Sequence, residues 1–132
     1  MDIASILRNA KTIAVVGISD KPERPSYGVA SYLLEHGYAI VPVNPNITEW
    51  RGIMAFPSLN AIPNDLKVDV VDIFRKSEDV APIVDEAIKI GASAVWMQLG
   101  VVNEEAAAKA RKAGLIVVMD RCMKIEHAEL KG

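Results

Sequence analysis

The stretch that most constrains this chain runs from Ile13 to Tyr38, IAVVGISDKPERPSYGVASYLLEHGY. Ile13-Ala14-Val15-Val16 is a short continuous apolar run, the pattern of a parallel strand buried on both faces. Gly17 ends it, and a polar loop follows that holds Ser19, Lys21, Arg24 and Ser26. A helix is predicted to open near Ser26 and to stop at Gly37, with Tyr27 in its first turn. This order of strand, glycine turn, polar loop and helix start sets unsatisfied N–H groups and the positive end of a helix dipole beside two cations. A phosphate suits such a place. The full G-x-G-x-x-G fingerprint is missing, however, and any α/β turn can use a glycine at position 17.

The remaining chain repeats the alternation. Ile3, Ile6, Leu7 and Ala10 give a short amphipathic helix ahead of the first strand. Ala39 to Val43 reads as the second strand, leaving through Asn44-Pro45-Asn46; Pro42 removes a ladder donor and points to an edge or a distortion. Between Ile47 and Lys67 the pattern weakens, with a turn at Arg51-Gly52, a short strand at 53–56 and a turn or two of helix at 58–62. Val68 to Phe74 is the third main strand. Ser77 is placed to cap the next helix, whose inner stripe is Val80, Ile83, Val84, Ala87 and Ile88. Ala94 to Leu99 forms the fourth strand, ending at Gly100, and Asn103 caps a helix closed by Gly114. Leu115 to Met119 is the fifth strand, and the last helix is expected from Asp120 to about Glu129.

Strands alternating with helices imply right-handed βαβ crossovers and one doubly wound, three-layer α/β domain over residues 1–132. Its five-stranded sheet is mainly parallel, with helices on both faces. Composition excludes several classes of function. Lys and Arg number 15 against 17 for Asp and Glu, so no basic field invites nucleic acid or an anionic membrane. Aromatic residues make up 5% and are scattered, which argues against a base-stacking platform. The apolar runs are too short to span a bilayer and no secretory signal is visible, so the cytoplasm is expected. One cysteine, Cys122, excludes an internal disulfide and a cysteine-based zinc cluster.

Doubly wound sheets bind ligands outside the carboxyl ends of their strands. The strand exits are Gly17-Ile18-Ser19, Val43-Asn44-Pro45, Phe74-Arg75-Lys76, Gln98-Leu99-Gly100 and Asp120-Arg121-Cys122. They are cationic and rich in amides, which suits a phosphorylated, nucleotide-like ligand better than a metal. An NAD site carries an acid after its second strand to grip the ribose; Asn44 stands there instead.

Taken together, AVVGISDKPERPSYGVASYL, VPVNP, VDVVDIFRKSEDV, AVWMQLGV and MDRCMKIEH resemble the stand-alone CoA-binding proteins. These are related to the CoA-binding domain of the succinyl-CoA synthetase α subunit, and the resemblance covers nearly the whole chain. It implies a Rossmann-like fold that holds coenzyme A at the strand exits. Gly17, Ile18 and Ser19 would then line the phosphates, with Lys21 and Arg24 as charge partners and Ser26 and Tyr27 at the helix start. Val43, Asn44 and Pro45 would follow the adenosine, whose 3′-phosphate a carboxylate at position 44 would repel. Phe74 and Arg75 would border adenine and phosphate, and Trp96, Gln98 and Gly100 the pantetheine arm. The synthetase's phosphorylated histidine lies in another domain, so ligase activity is not implied.

Each assignment has a plainer alternative. Arg75 could pair with Glu78 or Asp79, and Trp96 in its apolar strand suits the core. Asp69 and Asp72 lie three apart in a strand and so point to opposite faces, which argues against a carboxylate pair. Cys122 at a helix start beside Arg121 or Lys124 favours thiolate and a mixed disulfide with the CoA thiol; a small buried apolar residue is the plainer reading. His127 has no second histidine near it in sequence. Three functions compete: a binding or carrier module for CoA or acyl-CoA, a CoA-using subunit of an acyl-CoA synthetase, and an NAD-type oxidoreductase. The protein partners left open are a second copy in a homodimer and a CoA-using enzyme.

Overall fold

The computed structural model describes residues 3–131. Strands β1 (Thr12–Val16), β2 (Ala39–Val43), β5 (Val70–Ile73), β6 (Ala94–Met97) and β7 (Ile116–Val118) form one parallel sheet in the order β2-β1-β5-β6-β7. Two further strands, β3 (Glu49–Trp50) and β4 (Ile53–Met54), make a small antiparallel hairpin. The helices are α1 (Ile3–Asn9), α2 (Pro25–Glu35), α3 (Val80–Lys89), α4 (Glu104–Lys112) and α5 (Met123–Lys131).

Alternation along the strands divides the interior into two layers. Ala14, Val16, Val71, Ile73, Val95 and Met97 pack under Val80, Val84 and Ala87 of α3 and Ala106, Ala107 and Ala110 of α4. Ile13, Val15, Val70, Ala94 and Trp96 face the other way, under Leu7 of α1, Val29, Ala30 and Leu33 of α2, and Met123 of α5. The three-layer α/β expectation holds, with all five main strands parallel.

Pro42 lies on the edge strand β2, and its geometry shows why proline is tolerated there. Val43 O accepts from Gly17 N on the β1 side, whereas Pro42 O accepts from Phe56 N on the outer side. The nitrogen of Pro42 therefore faces outward, where no strand ladder needs its missing hydrogen. The weakly patterned crossover supplies this cover: Asn44 N donates to Phe56 O, and Val43 bridges Phe56. The expected strand at 53–56 is half of the hairpin, joined by Arg51 and Gly52, both at positive φ (49° and 80°), as a tight primed turn requires.

Two helix starts differ from expectation. Ser77 does not cap α3; it begins a 3₁₀ turn (Ser77–Asp79), and its Oγ accepts from Val102 N at 3.0 Å, tying the α3 start to the loop after β6. Helix α5 begins at Met123 rather than Asp120, because Asp120 takes a left-handed conformation (φ 58°) and its carboxylate accepts from Gly100 N at 2.7 Å. Asn103 caps α4 as expected, accepting from Ala106 N at 2.9 Å.

Candidate functional site at the strand exits

The chain leaves β1 toward β2 on one side and returns to β5 on the other, so the order reverses between β1 and β5. A crevice must open at that switch point. It does, with a volume of about 690 Å3, and its walls come from the β1, β5 and β6 exits and the α2 start. Gly17 and Ser19 leave β1; Arg24, Pro25, Ser26 and Val29 belong to the α2 start; Phe74, Arg75 and Lys76 leave β5. Gln98 and Cys122 lie at its far end. A smaller cavity of about 140 Å3 opens on the other side, between Val16, Val43, Pro45, Pro57 and Ile83. Arg75 lines both.

The phosphate-type loop is built largely from its own hydrogen bonds. Ser19 N donates to Ser26 Oγ (2.9 Å), Lys21 N to Ser19 Oγ (3.0 Å) and Arg24 N to the Lys21 carbonyl (3.0 Å). Pro25 opens α2 without an N–H, and the Tyr27 and Gly28 N–H groups close on the Arg24 carbonyl. Of the first turn, only Ser26 N–H is without a protein acceptor among the described residues. The expected run of unsatisfied amides is thus partly consumed within the loop. Anion attraction falls instead to the helix dipole and to Arg24, Arg75 and Lys76, which face a single carboxylate, Asp79, on the crevice wall. No carboxylate lies within ion-pair distance of Arg75 among the described residues, so the pairing with Glu78 or Asp79 does not form.

Several sequence-predicted residues act on the crevice only indirectly. Ile18 is fully buried, but its carbonyl accepts from Asn44 Nδ2 at 2.8 Å. Asn44 Oδ1 also accepts from Asn46 N, so Asn44 braces the β1 exit against that of β2. Lys21 is exposed and off the crevice wall, and Tyr27 packs edge-on against Trp50. Trp96 belongs to the core: it is 0% exposed and its indole N–H donates to the Arg121 carbonyl at 2.8 Å. Gly100 is exposed and held by Asp120, next to the crevice rather than in it. Gln98 is buried, and its Oε1 accepts from Met123 N at 3.1 Å.

Sequence reasoning missed Val29, Val101 and Asp79, and in the smaller cavity Pro57, Ser58, Leu59, Ile83 and Glu86. Val29 stands one helical turn after Ser26, and that spacing could have found it. The 57–59 segment carries no periodic signal.

The two aspartates have separate fates. Asp69 Oδ2 accepts from the Lys11 and Thr12 N–H groups, both at 3.0 Å, at the far end of the sheet. Asp72 sits in the central strand, 0% exposed, with no hydrogen-bond partner for either oxygen. Burial pushes its carboxyl well above the usual carboxylate range. His127 meets His36 after all, their ring centroids 5.4 Å apart beside Tyr32 and Tyr38. Among the described residues no group of three or more His, Cys, Asp or Glu is arranged to hold a metal ion, and no helix is long and apolar enough to cross a membrane.

Fold and crevice define a doubly wound, Rossmann-like α/β domain with a cationic mouth at its switch point. The model of the CoA binding domain family matches residues 11–128, and the chain belongs to that family. It is 42% identical to the uncharacterised protein YneT of Bacillus subtilis, over 98% of this chain and 95% of that one. The solved structure of a hypothetical protein from Pyrococcus horikoshii superposes with a TM-score of 0.95 at 49% identity, covering 99% of this chain and 91% of the other. The α subunit of an ADP-forming acetate–CoA ligase from Pyrococcus furiosus is 26% identical, over 92% of this chain but only 29% of its own length.

Proposed function

We propose that the switch-point crevice binds coenzyme A or an acyl-CoA, and that the chain serves as a non-catalytic binding or carrier module. The observation that carries this reading is Arg75, whose side chain walls both the larger crevice and the smaller cavity beside it. A ligand with phosphates at two places, a diphosphate and a 3′-phosphate, uses a cation so placed at both ends. The diphosphate lies by Gly17, Ser19 and Arg24, at the α2 start. Adenosine enters the smaller cavity past Val43, Asn44 and Pro45, bordered by Phe74, and the pantetheine arm runs toward Gln98. Asn44 at the β2 exit leaves room for an anion where NAD-binding domains carry an acid.

Thermal denaturation with CoA, dephospho-CoA and NAD tests the reading. A ligand at a hundred times its dissociation constant stabilises by about 2.7 kcal/mol, roughly 8–12 °C for a domain of this length. CoA is expected to raise the melting temperature most. NAD in first place, or no shift with any of the three, overturns the reading.

A second reading, a CoA-using subunit of an acyl-CoA synthetase, draws on the likeness to the acetate–CoA ligase α subunit. Co-purification with a nucleotide-activating subunit, and acyl-CoA formation by the pair, would favour it.

A further inference from the structure

The far end of the crevice carries a buried amide and an exposed leucine, adjacent in the chain. Gln98 is 5% exposed and lies on the crevice wall. Met123 N donates to its Oε1 at 3.1 Å, and this fixes which way the carboxamide faces, since only the oxygen can accept. Its Nε2 carries two hydrogens and meets no acceptor among the described residues. That nitrogen is not sealed beneath other atoms, so its donors open on the crevice. A nearly buried donor left unpaired is costly, and a ligand acceptor at this place removes the cost.

Leu99 follows at the corner of a tight turn. Val101 N donates to the Gln98 carbonyl at 2.9 Å, and Gly100 supplies the positive φ (82°) that the third position of a type II turn requires. Asp120 holds the turn in place by accepting from Gly100 N at 2.7 Å. The corner is therefore fixed, yet it presents a large apolar side chain, 60% exposed, on the crevice wall. Val101 and Cys122, both nearly buried, extend that apolar surface. A donor for a carbonyl oxygen beside a small apolar surface matches an acyl group. A free thiol is a weak acceptor and brings no carbon to cover Leu99.

We propose that the crevice takes a short-chain acyl-CoA in preference to free CoA, with the thioester carbonyl accepting from Gln98 Nε2 and the acyl carbons lying on Leu99. This rests on the reading that the crevice binds CoA, and it assigns the end of the ligand that carries the cargo. Both amides of the pantetheine arm stand closer to the phosphates along the ligand, which leaves the thioester as the carbonyl for the far end. So small an apolar surface covers only a few carbons. Acetyl to butyryl groups suit it, whereas a fatty chain would run on into solvent.

Calorimetry of the wild-type chain with CoA, S-ethyl-CoA, acetyl-CoA and butyryl-CoA tests this. S-ethyl-CoA has the size of acetyl-CoA but no thioester carbonyl. Acetyl-CoA is expected to bind about 3–10-fold more tightly than S-ethyl-CoA, the worth of one neutral hydrogen bond. Butyryl-CoA should gain about two- to fourfold more for each added methylene. Gln98→Glu keeps an oxygen for Met123 N but loses both donors, and should erase the advantage of acetyl-CoA over S-ethyl-CoA. Leu99→Ser, at an exposed corner, should erase the butyryl gain, and it tests the site even if Gln98→Glu does not fold. Equal affinities for acetyl-CoA and S-ethyl-CoA overturn the proposal. So does free CoA binding most tightly, or a Gln98→Glu chain that keeps the acetyl preference. Each of those results leaves the CoA reading standing, whereas no binding of any of these ligands sinks that reading as well.

Discussion

Gly17 lies so close to the carbonyl oxygen of Phe74 that no side chain fits between the β1 and β5 exits. It also has φ 85°, and a Cβ there would stand 3.3 Å from Arg75 Nε. One glycine therefore sets both the turn into the polar loop and the gap over which Arg75 reaches.

Gly17→Ala is expected to lose about 2–4 kcal/mol in urea denaturation, combining left-handed strain with a backbone clash. Gly37 is the internal control: its φ is 98°, but a Cβ there meets nothing within 4 Å. Gly37→Ala should lose only about 1–2 kcal/mol. Equal losses would mean that the exits of β1 and β5 separate freely.

Asp72 makes stability depend on pH. Burial holds its folded-state pKa well above the usual carboxylate range, so the folded chain binds this proton more tightly than the unfolded one. Stability is full below about pH 4 and falls as pH climbs toward the raised value, by up to about 1.4 kcal/mol per pH unit. Asp72→Asn has no proton to lose, so its stability relative to wild type should improve from about pH 4 upward. Urea titrations of both proteins between pH 4 and 8 measure this; parallel profiles would contradict it.

The two arginines should separate by ligand. Arg24→Ala is expected to weaken CoA and dephospho-CoA alike, by about 10–100-fold, the worth of a hydrogen bond to a charged group. Arg75→Ala should weaken CoA more than dephospho-CoA, because only CoA places phosphate near both walls. Calorimetry at two salt concentrations checks each, and a uniform loss in both variants would remove the special role of Arg75.

Asn44→Asp places a carboxylate at the β2 exit. CoA affinity should fall by about tenfold or more, from repulsion of the 3′-phosphate, with a smaller loss for dephospho-CoA. The donation from Asn44 Nδ2 to Ile18 O is lost as well, so Asn44→Ala, measured beside it, isolates the charge.

The sequence by itself determined the layers and where to look. Continuous apolar runs at β1 and β6, and one at β5 broken only by Asp72, fix a buried parallel sheet, because only helices on both faces can cover such strands. From that follow the strand exits and the names Gly17, Arg24, Arg75 and Gln98. Tertiary structure alone decided which exit residues face the crevice. Trp96 and Gln98 differ by two positions on one strand, yet one is sealed in the core and the other lies at its rim, because burial depends on how far α5 reaches over β6. The same holds for the loop amides and the smaller cavity. The hydrogen bond from Ser19 N to Ser26 Oγ across the loop, and the packing of 57–59 beside Val43, join residues that no periodic pattern in the sequence pairs.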